Sequence, residues 1–159
     1  MRYFIKFSYD GSCFYGFQRQ IGLKTVQGVI EEALMSLNGN VVNLCASGRT
    51  DKGVHAIEQC AHFDLDIDVK EYNLKKYLNN CFEGEIHVFS LEKVSDRFHA
   101  RYDVKSKIYS YYINMGEFSS VSRNYVYQLC EELDVSLMKS ASLCLLGKHD
   151  FRSFCTDEE

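Results

Sequence analysis

Residues 2–9 mix large apolar and polar side chains of β-favouring type and end at Asp10-Gly11, a turn signal, so they predict a first strand. Val26, Val29, Ile30, Ala33, Leu34 and Leu37 then recur at helical spacing, and Asn38-Gly39 closes that run as a helix C-terminus should. Val41 to Ala46 is a short apolar run, read as a strand. After the polar stretch 47–55, Ile57, Gln59, Ala61, Phe63, Leu65 and Ile67 alternate with Glu58, Cys60, His62, Asp64, Asp66 and Asp68. That period of two is a strand with one face towards a core. Leu74, Tyr77, Leu78 and Cys81 share a helical face with Asn73 as a candidate cap, and Ile86 to Val94 reads as a further strand.

The order β-α-β-β-α-β predicts an α+β fold, an antiparallel sheet with helices on one face, in the manner of a ferredoxin-like or RRM-like half. We place this first domain at residues 1–104. A second, similar unit is expected at 105–159, with a strand over Lys107–Ile113 and a helix carrying Leu137, Met138, Ala141, Cys144 and Leu145 up to Gly147. One strand and one helix cannot cover both apolar faces, so this second half is expected to be incomplete.

Composition modifies this picture only in part. The chain has 159 residues and a formal charge of −4, which speaks against nucleic acid as a partner, because phosphate contacts need Lys and Arg. The charge is uneven, however. Acid gathers at Asp64, Asp66, Asp68 and Glu71, at Glu131-Glu132 and in the tail at 157–159, while Arg2, Lys6, Arg19, Lys24, Arg49, Lys52, Arg97, Arg101, Lys105 and Lys107 leave room for a positive face. The seven cysteines are scattered, with no C-x-x-C pair to suggest a zinc ribbon or a thioredoxin-type site. Scattered thiols and an N-terminus without a long apolar run predict a reducing compartment, the cytoplasm, and no membrane.

Asp51 lies in the polar stretch between two strands, flanked by Gly48 and Gly53, which allow a tight backbone and close approach of a ligand. Arg49, two residues earlier, can pair with its carboxylate and favour the charged form that a nucleophile needs. On spacing alone a structural Arg–Asp pair tying the loop is the commoner outcome. Asp64, Asp66 and Asp68 resemble a metal cluster at first sight, but their period of two assigns them to the solvent side of a strand.

Ser47-Gly48-Arg49-Thr50-Asp51-Lys52-Gly53-Val54-His55-Ala56 is close to the signature A-G-R-T-D-x-G-V-H-A of the tRNA pseudouridine synthase A family, which the chain resembles in further stretches in the same order. Tyr9-Asp10-Gly11 and Gly16-Phe17-Gln18-Arg19-Gln20 are similar to the family's opening motif, and Thr25-Val26-Gln27 to its helix start. Phe98-His99-Ala100-Arg101 resembles F-H-A-R, Lys107-Ile108-Tyr109-Ser110-Tyr111 resembles [RK]-x-Y-x-Y, and Gly147-Lys148-His149-Asp150-Phe151 resembles G-x-H-D-F.

The resemblance implies an isomerase that converts uridine to pseudouridine in the anticodon stem-loop of tRNA, without cofactor or metal. It gives Asp51 as nucleophile, attacking the ribose or the pyrimidine ring, with Arg49 orienting it and Tyr109 packing on the base. Gln18, Arg19, Gln20, His55 and Arg101 are the implied RNA contacts. It also implies two similar halves with a cleft between them, a homodimer, and a longer protein of which this is the N-terminal portion. Two rivals stand beside it: a non-catalytic RNA-binding or dimerisation fragment of the same fold, and an unrelated hydrolase with an Asp nucleophile, which would want a metal or a second carboxylate.

Overall fold

A computed structural model describes residues 1–154; Cys155 and the acidic tail at 157–159 lie outside the described residues. The chain divides into two compact units, Met1–Tyr109 and Ser110–Glu159.

In the first unit, strand β1 (Arg2–Tyr9) runs between β3 (Ala56–Asp64) and β4 (Ile86–Val94), antiparallel to both, and β2 (Cys45–Ala46) flanks β3. The mixed pattern of β1 resolves into strict alternation: Tyr3, Ile5, Phe7 and Tyr9 are buried, and the residues between them are half-buried. Register sets Phe63 against Tyr3 and Ala61 against Ile5 on one side, and Val88 against Phe7 and Ile86 against Tyr9 on the other. Helices α1 (Val26–Asn38) and α2 (Glu71–Cys81) close this face with Val26, Ile30, Leu34, Leu74 and Leu78. Each such side chain contributes about 1.5–3 kcal/mol when fully buried. Helix α1 begins where Thr25 accepts the Gly28 N–H and ends at Gly39, whose φ of 78° is left-handed. The α+β sheet-and-helix arrangement is the one the pattern predicts.

Three local expectations need correction. Strand β2 is limited to Cys45–Ala46, because Leu44 spends its backbone on side chains: its N–H donates to Glu31 at 2.9 Å and its carbonyl accepts from Gln27 Nε2 at 3.3 Å. Asn73 does not cap α2, which starts at Glu71 after Lys70 with no side-chain cap bond. The alternation after residue 56 leaves the strand at Asp64, so the three aspartates find separate partners. Arg2 bonds Asp64, Asn38 and Asn40 donate to Asp66, and Lys93 pairs with Asp68. The Arg2 hydrogen bonds hold the Asp64 carboxyl below its ordinary range, as the Lys93 bond does for Asp68.

The second face of the sheet is partly covered from within the same unit. Phe98 meets Phe4 edge-on at 5.0 Å, Arg2 Nη1 donates to the Phe98 carbonyl at 2.9 Å, and the buried Ala100 N–H donates to His62 Nδ1 at 3.1 Å. Burial, with Arg2 and His99 adding to it, holds the His62 imidazole below its ordinary range.

The second unit holds a two-residue parallel pairing of β5 (Ile113–Asn114) with β6 (Tyr127–Gln128), then α3 (Val135–Ser142), capped by Asp134 and followed by a 3₁₀ turn at Leu143–Leu145. The strand expected over 107–113 therefore survives only at its end. A ladder needs a partner backbone; among the described residues 107–111 have none, and Tyr112 offers only its carbonyl, to the Tyr127 N–H at 2.8 Å. The described residues after 104 include none that is buried, and Leu137 is 68% exposed. No helix among the described residues is long and apolar enough to cross a membrane.

This distribution of burial predicts opposite results for two truncations. Phe63→Ala should cost about 3–5 kcal/mol in a denaturant melt, the usual loss for a core aromatic, whereas Leu137→Ala should move the main midpoint by less than about 0.5 kcal/mol. Similar losses in both variants would show that the two residues share one cooperative core.

Candidate functional site

The polar stretch 47–55 is a loop leaving β2 and returning into β3, and it is anchored at both ends and beneath. At its start, Ser47 N–H donates to the Cys60 carbonyl at 2.8 Å and Ser47 Oγ to Gln59 Oε1 at 2.8 Å, while Gln59 Nε2 donates to the Gly48 carbonyl at 3.1 Å. Gln59 occupies a core-facing position of β3 and is buried, so its amide has little else to satisfy it than the loop backbone. Beneath the middle, the Tyr9 hydroxyl and Thr50 Oγ1 are 2.8 Å apart, and Phe17 N–H donates to the Thr50 carbonyl at 2.9 Å. Burial raises the Tyr9 phenol above its ordinary range against the opposing bonds of Thr50 and Gln59, with a smaller push from Tyr109.

Two glycines make the approach possible. A Cβ on Gly11 would sit 2.2 Å from the Val54 carbonyl oxygen, so only glycine lets the end of β1 meet the returning arm of the loop. Gly16 has φ of +90°, and a Cβ there would lie 3.3 Å from the Thr50 carbonyl oxygen. His55 Nδ1 stands 3.1 Å from both the Gly11 amide nitrogen and Asp10 Oδ1, which ties the returning arm to the same turn.

Against this support the loop tip is free. Asp51 and Arg49 are exposed, and neither side chain has a hydrogen bond or ion pair among the described residues, so the Arg49–Asp51 pair that their spacing allows is not formed; the Asp51 carbonyl accepts the Val54 N–H at 3.2 Å. Lys52 Nζ lies 4.3 Å over the Tyr15 ring. Lys107 reaches the loop from the other side: a Cβ built on Gly48 would be 3.2 Å from Lys107 Nζ. Tyr109 is 69% exposed.

The expected RNA contacts separate into two kinds. Arg19 is committed in part to the fold, since its Nη1 donates at 3.1 Å to Glu31, a carboxylate only 4% exposed that also accepts from Gln27 and Leu44. Gln20 is tied to the Tyr15 carbonyl at 3.0 Å, while Gln18 and Arg101 are exposed. Tyr9 and Lys107 stand in the quoted motifs without an assigned role and Gln59 stands in none, yet all three reach the loop. The signal for Gln59 was present as a polar residue at a core-facing position; Lys107 was marked only as the basic residue of the [RK]-x-Y-x-Y stretch.

A family model described as tRNA pseudouridine synthase matches residues 5–103. Curated relatives named tRNA pseudouridine synthase A include one from Oceanobacillus iheyensis, 45% identical over 149 residues that make up 92% of this chain and 59% of the relative. One from Listeria monocytogenes is 44% identical over 157 residues, 98% of this chain and 63% of the relative. Another, from Mycoplasma genitalium, is 40% identical over 153 residues, 96% and 63%. The chain spans about three fifths of the length of these relatives.

The contact at Gly11 gives a direct test of how the loop is held. Gly11→Ala forces the Val54 carbonyl aside and should cost about 1–3 kcal/mol, as overpacking does. Limited trypsin digestion should then cut faster after Arg49 and Lys52. Unchanged melting and unchanged cleavage at those two sites would mean that the turn at Gly11 does not support the loop.

Proposed function

Because this chain belongs to the tRNA pseudouridine synthase family, we propose that it carries the nucleophile of an isomerase that turns uridine into pseudouridine in the anticodon stem-loop of tRNA, acting as a homodimer. The observation that carries this reading is the contrast at residues 47–55: a loop fixed from below by Tyr9, Gln59 and two close glycine contacts, and a carboxylate at its tip with no partner among the described residues. An aspartate held in place but left unpaired is suited to meet a substrate atom.

The target base leaves its stack to reach the loop. Asp51 attacks the nucleotide and bonds to it, the bond from ribose to N1 breaks, the base turns, a bond from ribose to C5 forms, and the bond to Asp51 breaks to free the carboxylate. The C5 proton departs, and N1 ends with a proton. No atom is gained or lost by the substrate overall, which is consistent with an isomerase needing no cofactor. Arg49, beside Asp51 in the loop, holds the flipped nucleotide. Tyr109, exposed to solvent, stacks on the base and assists the final proton loss. Arg101, Gln18, Gln20, His55 and the free part of the Arg19 guanidinium contact the RNA backbone.

The reading is tested with residues 1–159 grafted in place of the matching part of a full-length relative, using tRNA labelled with tritium at uridine C5. Tritium release is expected, and Asp51→Asn should abolish it while leaving tRNA binding within a few-fold. Residual turnover at about a tenth of the parent or more would remove Asp51 as nucleophile. Binding without any tritium release from the parent graft would favour the non-catalytic fragment.

The same face predicts a salt response. Arg49, Arg101 and Lys105 have no ion pair among the described residues, and Arg19 remains 62% exposed beside Glu31. tRNA affinity should fall by about tenfold or more between low and physiological salt despite the acidic total, because bound phosphates release counterions. A flat salt dependence would exclude these cations as the binding face.

A further inference from the structure

On the sheet face away from the helices, three side chains from three different places in the chain converge. Cys45 of β2 and His62 of β3 are directly opposite in register, and His99, from the segment that folds across this face, lies over them. Cys45 Sγ is 3.6 Å from His99 Nε2, the two imidazole rings are 4.8 Å apart between centroids, and one donor atom from each residue lies within 4.8 Å of the others. Cys45 and His99 are half-buried and so reachable, whereas His62 is buried. None of the three has a part in the chemistry of the 47–55 loop.

We propose that Cys45, His62 and His99 form a latent site for one zinc-class ion, with the fourth position left to water. The spacing fits this donor set. With metal–sulfur and metal–nitrogen bonds of about 2.3 and 2.0–2.1 Å, a tetrahedral ion holds sulfur and nitrogen roughly 3.6 Å apart, so the Cys45–His99 pair already stands at the required separation and the third ligand has about 1 Å to close. A thiolate with two imidazoles also selects a borderline-soft ion over magnesium or calcium, which take oxygen ligands. The ligands sit at positions 45, 62 and 99, so no short cysteine motif announces the site.

The metal-free state is a set of hydrogen bonds that the ion must replace. His62 Nδ1 accepts the Ala100 N–H at 3.1 Å and His99 Nδ1 accepts the Arg101 N–H at 3.3 Å, which puts both ring protons on Nε2 and makes His99 the donor to the Cys45 sulfur. When the ion binds through both Nε2 atoms, the ring protons move to Nδ1, the thiol proton leaves to solvent, and one metal–sulfur and two metal–nitrogen bonds form. The two Nδ1–H groups then face two backbone N–H donors, so the turn at 98–101 has to give way. Occupation would therefore tie β2, which leads into the 47–55 loop, to β3 and His99 while releasing the Ala100 amide.

Titration of the 159-residue chain with Co²⁺, under reducing conditions and followed by displacement with Zn²⁺, tests this. One ion per chain is expected, with a thiolate-to-cobalt charge-transfer band and the visible bands of a tetrahedral ion. Cys45→Ser should remove the charge-transfer band, and His99→Gln should weaken binding by about tenfold or more, with both variants melting as the parent does without metal. Hydrogen exchange at the Ala100 amide should accelerate when Zn²⁺ is bound. Absence of the band in the parent, its persistence in Cys45→Ser, or an Ala100 amide equally protected with and without the ion would each overturn the proposal. None of these outcomes bears on whether Asp51 acts on uridine.

Discussion

The site depends on one close approach, that of Gly11 to the Val54 carbonyl. Strand β1 has a neighbouring strand on each side and its inward side chains Tyr3, Ile5, Phe7 and Tyr9 are all buried, so its C-terminal end is held by the core of the first unit. The chain turns there at Asp10-Gly11 and lays a backbone with no side chain directly against the returning arm of the loop. Tyr9, the last inward residue of β1, reaches Thr50 from the same place. Core packing is thereby converted into loop position without any long flexible side chain in between, and lost freedom in the loop is the condition for a carboxylate to be presented in one geometry.

The other side of the loop is fixed by a buried charge. Glu31 projects from α1 into a place where it accepts from the Leu44 N–H, Gln27 Nε2 and Arg19 Nη1. A carboxylate there is tolerable only because its oxygens are met by donors, and loss of any one would leave part of a buried charge unsatisfied. The arrangement explains why a helix that supplies the core also determines where β2 begins. It gives Arg19 a structural duty as well, which a reading of Gln18, Arg19 and Gln20 as one RNA-contacting run did not include.

Most of the first unit was legible because its two periodicities are clean. The helical spacing from Val26 to Leu37 and the turn at Asn38-Gly39 locate α1, and the alternation from Gln59 to Phe63 gives the inward face of β3. The pattern misled where side chains replaced the usual backbone partners, as at Leu44, and where alternation continued past the end of a strand, as at Asp66 and Asp68. It also misled over 107–111, whose strand-like composition lacks a pairing backbone among the described residues. The candidate site was legible through its motif, which points to Asp51 and Arg49. Its supports were less so. Tyr9 and Gln59 look like ordinary strand residues until the register brings them under Thr50 and Gly48, and Lys107 is separated from Gly48 by most of the domain. The Cys45, His62 and His99 cluster was invisible for the same reason, since three elements must first be assembled.

Net charge was the least informative quantity, and the ion pairs show why. In the first unit the acids Asp64, Glu58, Glu31, Glu85 and Asp68 are matched with Arg2, Lys6, Arg19, Lys24 and Lys93 respectively. Such pairs neutralise one another locally and present little field at a distance. Arg49, Lys52, Arg101, Lys105 and Lys107 take no part in any ion pair among the described residues. Two of these flank Asp51 in the loop itself and one stands over Gly48. A polyanion approaching this loop therefore meets cations whose charge is not already spent, even though the chain as a whole carries −4. What decides the partner is which charges remain unmatched, and that depends on pairings such as Arg2 with Asp64, which are 62 residues apart in the chain and become neighbours only when β1 meets β3.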